Sequence, residues 1–574
     1  MALLRLVKII TAVATAWSIF GAGQAAAQSP ETASQIFFSA FYGGQWDIFS
    51  VSPDGATLRQ ITNDIFDDRD PAISPDGSRL AYASRRAGNW DIYLLDLTTG
   101  AETRLTTHPH FDGAPAWNPD GRRIAFESFR SGDLDVWLLD TGGDAPPRNL
   151  TADSPAQDYA PAWDDTGNTL FFASARAGDD DIWSLDVPSG ELRQLTTADT
   201  SDSQPVWDAV GQRLGLTVNR LGEKDVWFAP KLTDPRPLTW LGSAEQPAFA
   251  PDGSALAVVL RGGNSDRLLR LDDGDPVPHY LTPPVLLRGG ISWRTAAVTG
   301  TVIAPFAPQL WARGLYTETV SPSKSSTGEP FDLVRINDLN VREPWLADTV
   351  DDSFRAMRYR LRDEIGYDFL GTLSETLRPL AFASDASQYS SWHKSGRAFD
   401  TRFDLPGGRL QIVKETIGGN VYWRVLLRCD DQSGKCGEPA TARAWDYSGR
   451  ARTVLAPEQG GVEKPPLYGY YVDFTRWARM YGWQRIASHD DADFSWTWHF
   501  KAFEYWHFQK PLFVGERSNW YAAVEQVYPT ATVESYFTWQ KTRDAGENAD
   551  VIMLKGIPGT PAAQRWWQQL TNSE

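Results

Sequence analysis

The sequence predicts a multidomain chain: an all-β six-bladed propeller over residues 31–295, a linker or long loop over 296–330, and an α+β domain over 331–574. Three observations lead there. A unit recurs about every 44 residues through the first half. Inside each unit, short runs alternate and are rich in aromatic and β-branched residues. Beyond residue 331 the repeat stops and helical and strand periodicities mix. A chain of 574 residues also exceeds what one hydrophobic core serves.

The repeat carries four markers. An aspartate opens an Asp-(Ile/Val)-aromatic triplet at Asp47, Asp91, Asp135, Asp181 and Asp225, with a degenerate copy at Asp266. A proline, at Pro71, Pro115, Pro161, Pro205 and Pro247, opens a strand. A turn follows, as in Asp76-Gly77, Asp120-Gly121 and Asp252-Gly253. Leu-Thr or Ile-Thr closes each unit, as in Leu105-Thr106 and Leu195-Thr196. Four short strands per unit at this period describe a propeller blade, which must stack on its neighbours to bury its faces. The first unit, from Ile36, lacks a Pro-x-Trp strand, and the missing piece stands after unit six as Ile291-Ser292-Trp293. That segment is expected to close the ring into blade one. The repeated Asp, Gly and Trp residues are expected to serve turns and inter-blade packing. The markers resemble the repeats of the periplasmic TolB propeller and of the propellers on prolyl-oligopeptidase-like enzymes. A serine peptidase partner would need a G-x-S-x-G elbow, and none occurs after residue 295.

Residues 1–27 form an expected signal peptide. Arg5 and Lys8 precede an apolar run over 9–20, and Ala25 to Ala27 satisfy a small-residue cleavage rule. The run is short for a membrane span, and no later run reaches that length. The expectation is a soluble secreted or periplasmic protein with no stable transmembrane segment. With a net charge of -18, nothing in the composition favours nucleic acid, whose binding requires a basic face, and none is expected as a partner. The 25 Trp residues fit Trp-rich repeats or a carbohydrate-binding surface. Cys429 and Cys436, the only two cysteines, flank a polar loop and are expected to form a local disulfide in an oxidising compartment.

In the second half, Phe354, Met357, Leu361 and Ile365 predict a helix over 351–365, capped by Asp351 or Asp352 and ended by Gly366. Residues 410–413 and 421–427 predict a strand pair around Gly418-Gly419-Asn420. Residues 430–465 are a polar insertion that could lie over a cleft. Phe474 to Tyr481 predicts a helix with Trp477 and Ala478 inward, Val551 to Leu554 a late strand, and Pro561 to Leu570 a terminal helix.

The chemistry concentrates in two stretches: Ser391-Trp392-His393-Lys394-Ser395-Gly396-Arg397-Ala398-Phe399-Asp400 and Glu504-Tyr505-Trp506-His507. His393, Asp400 and His507 supply two imidazoles and a carboxylate, a common set for a catalytic zinc with an open position. Glu504 stands where a general base is useful. His393 and Asp400 are seven residues apart, so a loop-to-strand path unites them more easily than a helix. Glu504 and His507 would face opposite sides of one strand, so a turn or bulge is expected between them. His499 rivals His507, since each follows a tryptophan and precedes a phenylalanine.

The pattern S-x-H-x-x-G-x-A-x-D followed by E-x-W-H resembles the zinc D-Ala-D-Ala carboxypeptidase and dipeptidase family (VanY/VanX-like, peptidase M15). The resemblance covers about residues 375–510. It implies His393, Asp400 and His507 as zinc ligands and Glu504 as catalytic base, with Zn2+ as cofactor. It also implies a peptide or peptidoglycan fragment as substrate, and Gly396 as a point of close backbone approach to the metal site. The family's Y-R-S-x-x-x-Q arginine has no counterpart in Phe382-Ala383-Ser384-Asp385-Ala386-Ser387-Gln388. Arg378, Arg358 and Arg360 are the nearby substitutes, each also readable as a solvent-exposed cation. The expected function is zinc-dependent hydrolysis of a peptide or amide bond, with the propeller serving substrate access or a protein partner. The alternative is a non-catalytic exported binding or scaffold protein with a degenerate zinc domain.

Overall fold

The computed structural model describes residues 32–559 except 144, 233–234, 276, 304–313, 321–332, 383–389, 403–404, 447–461, 489–503 and 515–516. The expected signal peptide, the rival His499 and the expected helix over 561–570 lie outside the described residues.

Six antiparallel sheets follow one another along residues 32–302. Five have four strands. The sheet nearest the N-terminus has five, in the order Leu287–Ala297, Thr32–Tyr42, Gln45–Val51, Leu58–Gln60, Thr301–Val302. Leu287–Ala297 contains Ile291 to Trp293 and pairs with Thr32–Tyr42 through Ile36↔Trp293. The ring therefore closes as expected, with the chain's late strand completing its earliest sheet.

The markers have physical reasons. The threonine of each Leu/Ile-Thr pair accepts a backbone N–H, one residue beyond the marker aspartate at Ile48, Ile92, Val136, Ile182 and Val226 and two beyond Asp266 at Leu268, over 2.9–3.0 Å. Thr151, Thr196 and Thr239 also donate to Asp135, Asp181 and Asp225. The marker aspartates are thus buried locks between two strands rather than turn residues. Trp117 and Trp163 do pack between blades, each donating its indole N–H to a neighbouring blade, at Ala72 O and Ala116 O.

The marker prolines do not open strands. Pro71, Pro115 and Pro161 stand inside the innermost strands Asp68–Ile73, Asp112–Trp117 and Asp158–Trp163. Each follows a residue at positive φ: Asp70 at 55°, Ala114 at 44°, Ala160 at 53°. The strand register shifts there, between Arg69 and Ala72 in the first case. A bulge leaves its extra residue outside the ladder, so a proline without an N–H costs no ladder bond.

The C-terminal part is mostly short strands with few helices. Helix α1 (Asp351–Ile365) has the expected core face, with Phe354, Met357, Leu361 and Ile365 all buried, and Gly366 ends it at φ 90°. Its N-cap is Val350, without a side-chain cap; Asp351 and Asp352 sit in the first turn instead. Strands Leu410–Ile417 and Asn420–Arg428 form the expected hairpin. Helix α2 spans Phe474–Met480, burying Phe474 and Ala478 but only half-burying Trp477. Cys429 and Cys436 are joined in a disulfide. Four short helices follow: α3 (Trp520–Glu525), α4 (Thr530–Tyr536), α5 (Trp539–Asp544) and α6 (Ala549–Leu554). The last replaces the strand expected at 551–554: Ile552 alone of that run is fully buried, and it packs on Trp520 and Val524 in a helical cluster. Among the described residues no helix is long and apolar enough to cross a membrane.

The C-terminal part is seated on one face of the ring, opposite the Asp-Gly turns. Phe111 N donates to Tyr470 Oη over 3.1 Å, Gln157 to Leu467 O over 2.6 Å and Arg479 to Asn264 O over 3.0 Å. Glu438 is held by Arg288 at 2.7 Å and by Arg69. The insertion expected over a cleft is thus in part a docking element, since Glu438 and Arg443 both reach the propeller.

Candidate metal centre

Strand Ala398–Asp400 pairs antiparallel with His507–Gln509 in the register Ala398↔Gln509, Phe399↔Phe508, Asp400↔His507. Side chains alternate across a strand, so Asp400, His507 and Gln509 share one face while Phe399 and Phe508 share the other. The two phenylalanines stack at 5.6 Å, and Trp483 packs edge-on to Phe399 at 4.9 Å. This aromatic layer fixes the strands that carry the polar face.

His393 arrives from a short 3-10 turn, Trp392–Ser395, whose N-cap Ser391 accepts from His393 N. Gly396 ends that turn at φ 66°. A Cβ there would come within 2.8 Å of Ala347 N and of Leu333 Cδ2. The glycine therefore serves packing on the neighbouring strand Trp345–Ala347, not approach to the metal site. The loop-to-strand path between His393 and Asp400 is as expected.

The three side chains meet. His393 Nε2 is 3.1 Å from Asp400 Oδ1 and 3.3 Å from His507 Nδ1, and His507 Nδ1 is 2.9 Å from the same Asp400 oxygen. The outer ring nitrogens are engaged elsewhere. His393 Nδ1–H donates to Thr376 O over 2.6 Å, and His507 Nε2–H to Gln509 Oε1 over 3.2 Å. Those bonds leave lone pairs on His393 Nε2 and His507 Nδ1, aimed at each other and at a carboxylate oxygen. Such a convergence calls for a cation at its centre. Ligand bonds of about 2.0–2.2 Å around a tetrahedral zinc put ligand atoms roughly 3.3–3.6 Å apart; the observed edges of 2.9, 3.1 and 3.3 Å lie at or below that range, so the three atoms would part slightly to admit the ion. The residues therefore fit the metal.

Protons compete with a metal for these same nitrogens, and the carboxylate favours either cation. Burial works to raise the Asp400 pKa, but the charges of and hydrogen bonds from His393 and His507 outweigh it and hold the carboxyl well below the usual range. Burial disfavours a charged His507, yet Asp400 and then Glu504 overcome it and raise its pKa. Glu504 reaches this position through a turn, as expected: His507 N donates to Glu504 O over 3.1 Å, and Glu504 adopts φ 55°.

The arginine substitutes are differently placed. Arg358 is buried, not solvent-exposed: it grips Asp368 with two nitrogens and Asp338 O with a third contact. Arg378 is also buried and pairs with Glu375. Arg360 is exposed on α1. Two groups at the centre were not singled out in the sequence. Thr376 contributes only a backbone carbonyl, which no side-chain pattern reveals. Gln509 was legible as the residue two beyond His507 on one strand face.

Residues 89–275 match the TolB beta propeller domain family (PD40), and the match does not reach the candidate centre. No curated protein matches the chain. Among solved structures, TolB from Acinetobacter baumannii is similar at 21% identity, over 45% of this chain and 66% of that one, with a TM-score of 0.42. The match thus spans just under two thirds of that protein. Putative TolB from Agrobacterium tumefaciens is similar at 18% identity, over 47% of this chain and 100% of that one, with a TM-score of 0.38. A puromycin-hydrolyzing peptidase from Mycobacterium tuberculosis follows at 15% identity, over 44% and 47%, with a TM-score of 0.33. The N-terminal part of the chain carries a TolB-like β-propeller domain.

Proposed function

We propose that the C-terminal part is a zinc-dependent hydrolase of peptide or amide bonds, and that the protein is exported. The observation that carries this reading is the convergence of His393 Nε2, His507 Nδ1 and Asp400 Oδ1 with both outer ring nitrogens already engaged. His393, Asp400 and His507 would hold the metal. Zinc bound there supplies Lewis-acid chemistry toward a carbonyl and its attacking water. Thr376 and Gln509 keep each imidazole in the tautomer that presents a lone pair. Glu504, whose charge already acts on His507, takes a proton from the attacking water and returns it to the leaving amine. The resemblance to D-Ala-D-Ala peptidases points to peptidoglycan stem peptides as the substrate class.

The test joins metal analysis to turnover on muropeptides and on a mixed peptide pool. The parent should carry about one zinc per chain and cleave. Glu504→Gln should keep the zinc and lose roughly a hundredfold in rate. Equal rates in parent and variant would remove Glu504 from its role. A second reading, a binding or scaffold protein, is favoured by the arginines: Arg358 is committed to Asp368 and Arg378 to Glu375, so neither stands ready for a substrate oxyanion. If the zinc-loaded parent cleaves neither pool, that reading moves ahead.

A further inference from the structure

One continuous cavity of about 500 Å³ runs from the junction with the C-terminal part along the propeller axis. None of His393, Asp400, Glu504 and His507 lines it. The cavity is therefore a separate site and not a route to the candidate metal centre.

Among the described residues seven arginines line it; Arg69 and Arg443 are committed to ion pairs across the junction, and four more guanidinium groups stand at that end, Arg261 and Arg288 from the propeller and Arg424 and Arg476 from the C-terminal part. The propeller pair is satisfied. Arg288 is 2.7 Å from Glu438, and Arg261 is 2.5 Å from Glu245 and 2.7 Å from Leu287 O. The other pair is not. Arg424 approaches Glu415 only to 3.8 Å and Asp473 to 3.9 Å, and its Nε is buried without a hydrogen-bond partner. Arg476 approaches Glu438 to 3.7 Å and Asp473 to 3.9 Å. The carboxylates they reach are engaged by closer cations, since Glu415 binds Arg485 at 2.7 Å and Glu438 binds Arg288 and Arg69. Asp473 is left to serve two guanidinium groups, each at 3.9 Å. A guanidinium offers five donors in a rigid fork, so two of them beside one distant carboxylate form a receptor with unused donors.

The wall carries both signs: Glu245, Glu415 and Glu438 stay ionised beside their own cations, while burial weakens another acid. Burial pushes Glu127 up to about 7, which removes negative charge near neutrality. Burial, reinforced by Arg288, brings Arg476 down only to about 10, so it stays cationic. At the opposite end of the cavity Arg294 is wetted yet surrounded by protein, and among the described residues it has no ion pair. A lone cation in a channel mouth draws anions inward.

We propose that this chamber is an anion-binding site in which Arg424 and Arg476 grip the carboxylate or phosphate group of a small molecule entering along the propeller axis past Arg294. The volume lies within the range of small-molecule pockets, roughly 300–1,000 Å³. Two forked donors suit a group with two or more oxygens, which each guanidinium can contact through paired hydrogen bonds.

The experiment is isothermal titration of the full chain with inorganic phosphate and, separately, with citrate, at constant ionic strength. Saturable binding of one anion per chain is expected, and the anion that binds more tightly identifies the group. Arg424→Lys and Arg476→Lys keep the charge but lose the fork, so each should weaken binding by about tenfold or more. His393→Ala should leave it unchanged, which separates this site from the metal centre. No saturable binding of either anion, or parent affinity in both lysine variants, overturns the proposal. Should the variants not unfold cooperatively, tungstate-soaked crystals of the parent decide: anomalous density between Arg424 and Arg476 is expected, and its absence there overturns the site.

Discussion

His393 and His507 act as ligands only if each ring turns the right nitrogen inward, and that choice is made by Thr376 O and Gln509 Oε1. Gln509→Leu removes the acceptor from His507 while keeping the side chain's size. Zinc affinity should fall by roughly 10–100-fold, the usual effect of losing an outer-shell partner. His393→Ala should abolish tight binding, since two protein ligands do not hold a zinc firmly. Chelator competition measures both, and a Gln509→Leu variant that binds zinc like the parent would show that the amide does not set the tautomer. The trio of candidate ligands was legible in the sequence through the resemblance of S-x-H-x-x-G-x-A-x-D and E-x-W-H to a zinc peptidase pattern. Thr376 was not, because a backbone carbonyl has no signature in the side-chain alphabet.

The blade is held by a repeated device, a threonine hydroxyl wedged between a backbone N–H and the marker aspartate. In the blade of residues 112–149, Thr151 accepts from Val136 N at 3.0 Å and donates to Asp135 at 3.0 Å, with no exposure of its own. Thr151→Val keeps the shape and removes both bonds. Leaving a buried donor and a buried acceptor unpaired should cost about 2 kcal/mol, read as a lower denaturant midpoint with an unchanged slope. A midpoint equal to the parent's would mean that the lock carries no net stability. The period and the Leu-Thr signal were visible in the sequence. The proline bulge was not: a proline in a run of strand residues reads as a strand edge until the register shift around it is known.

At the scale of the molecule, Glu438 fastens the C-terminal part to the ring, and Glu415 is held mainly within the C-terminal part. Burial works to raise the Glu415 pKa, but Arg485, Arg424 and Lys224 outweigh it and hold the group at about 2. Arg288, Arg69 and Arg476 likewise overcome burial and hold Glu438 well below its ordinary value. Arg288 and Arg69 belong to the propeller, so the Glu438 shift reports the junction, whereas Arg485 and Arg424 of the C-terminal part lead at Glu415. Both folded-state values lie below the unfolded one, 4.5 for a glutamate. Their stabilisation is therefore complete above that pH and is lost as pH falls through it. Glu415 alone accounts for about 3 kcal/mol. The melting temperature should drop as pH falls from 4.5 toward about 2. Glu438→Gln, which leaves Arg69 and Arg288 without their shared anion, should cost about 3 kcal/mol at neutral pH and flatten that acid limb. An unchanged melting temperature and acid limb in the variant would place the fastening elsewhere.

The sequence by itself determined the propeller, its closure by Ile291 to Trp293, the core face of the helix over 351–365 and the trio His393, Asp400 and His507. The first three rest on local or periodic properties, alternation, repeat length and turn chemistry, and the trio on a motif resemblance. Only the tertiary structure decided that Gly396 serves packing against Ala347, that Arg358 and Arg378 are already paired, and that the insertion after Cys429 docks on the ring. It alone set Arg424 and Arg476 around a cavity whose other wall is more than a hundred residues away in the chain. The reason is physical: a charge is assigned to a partner, a cavity or solvent by distances between elements remote in sequence, and no pattern along the chain carries those distances.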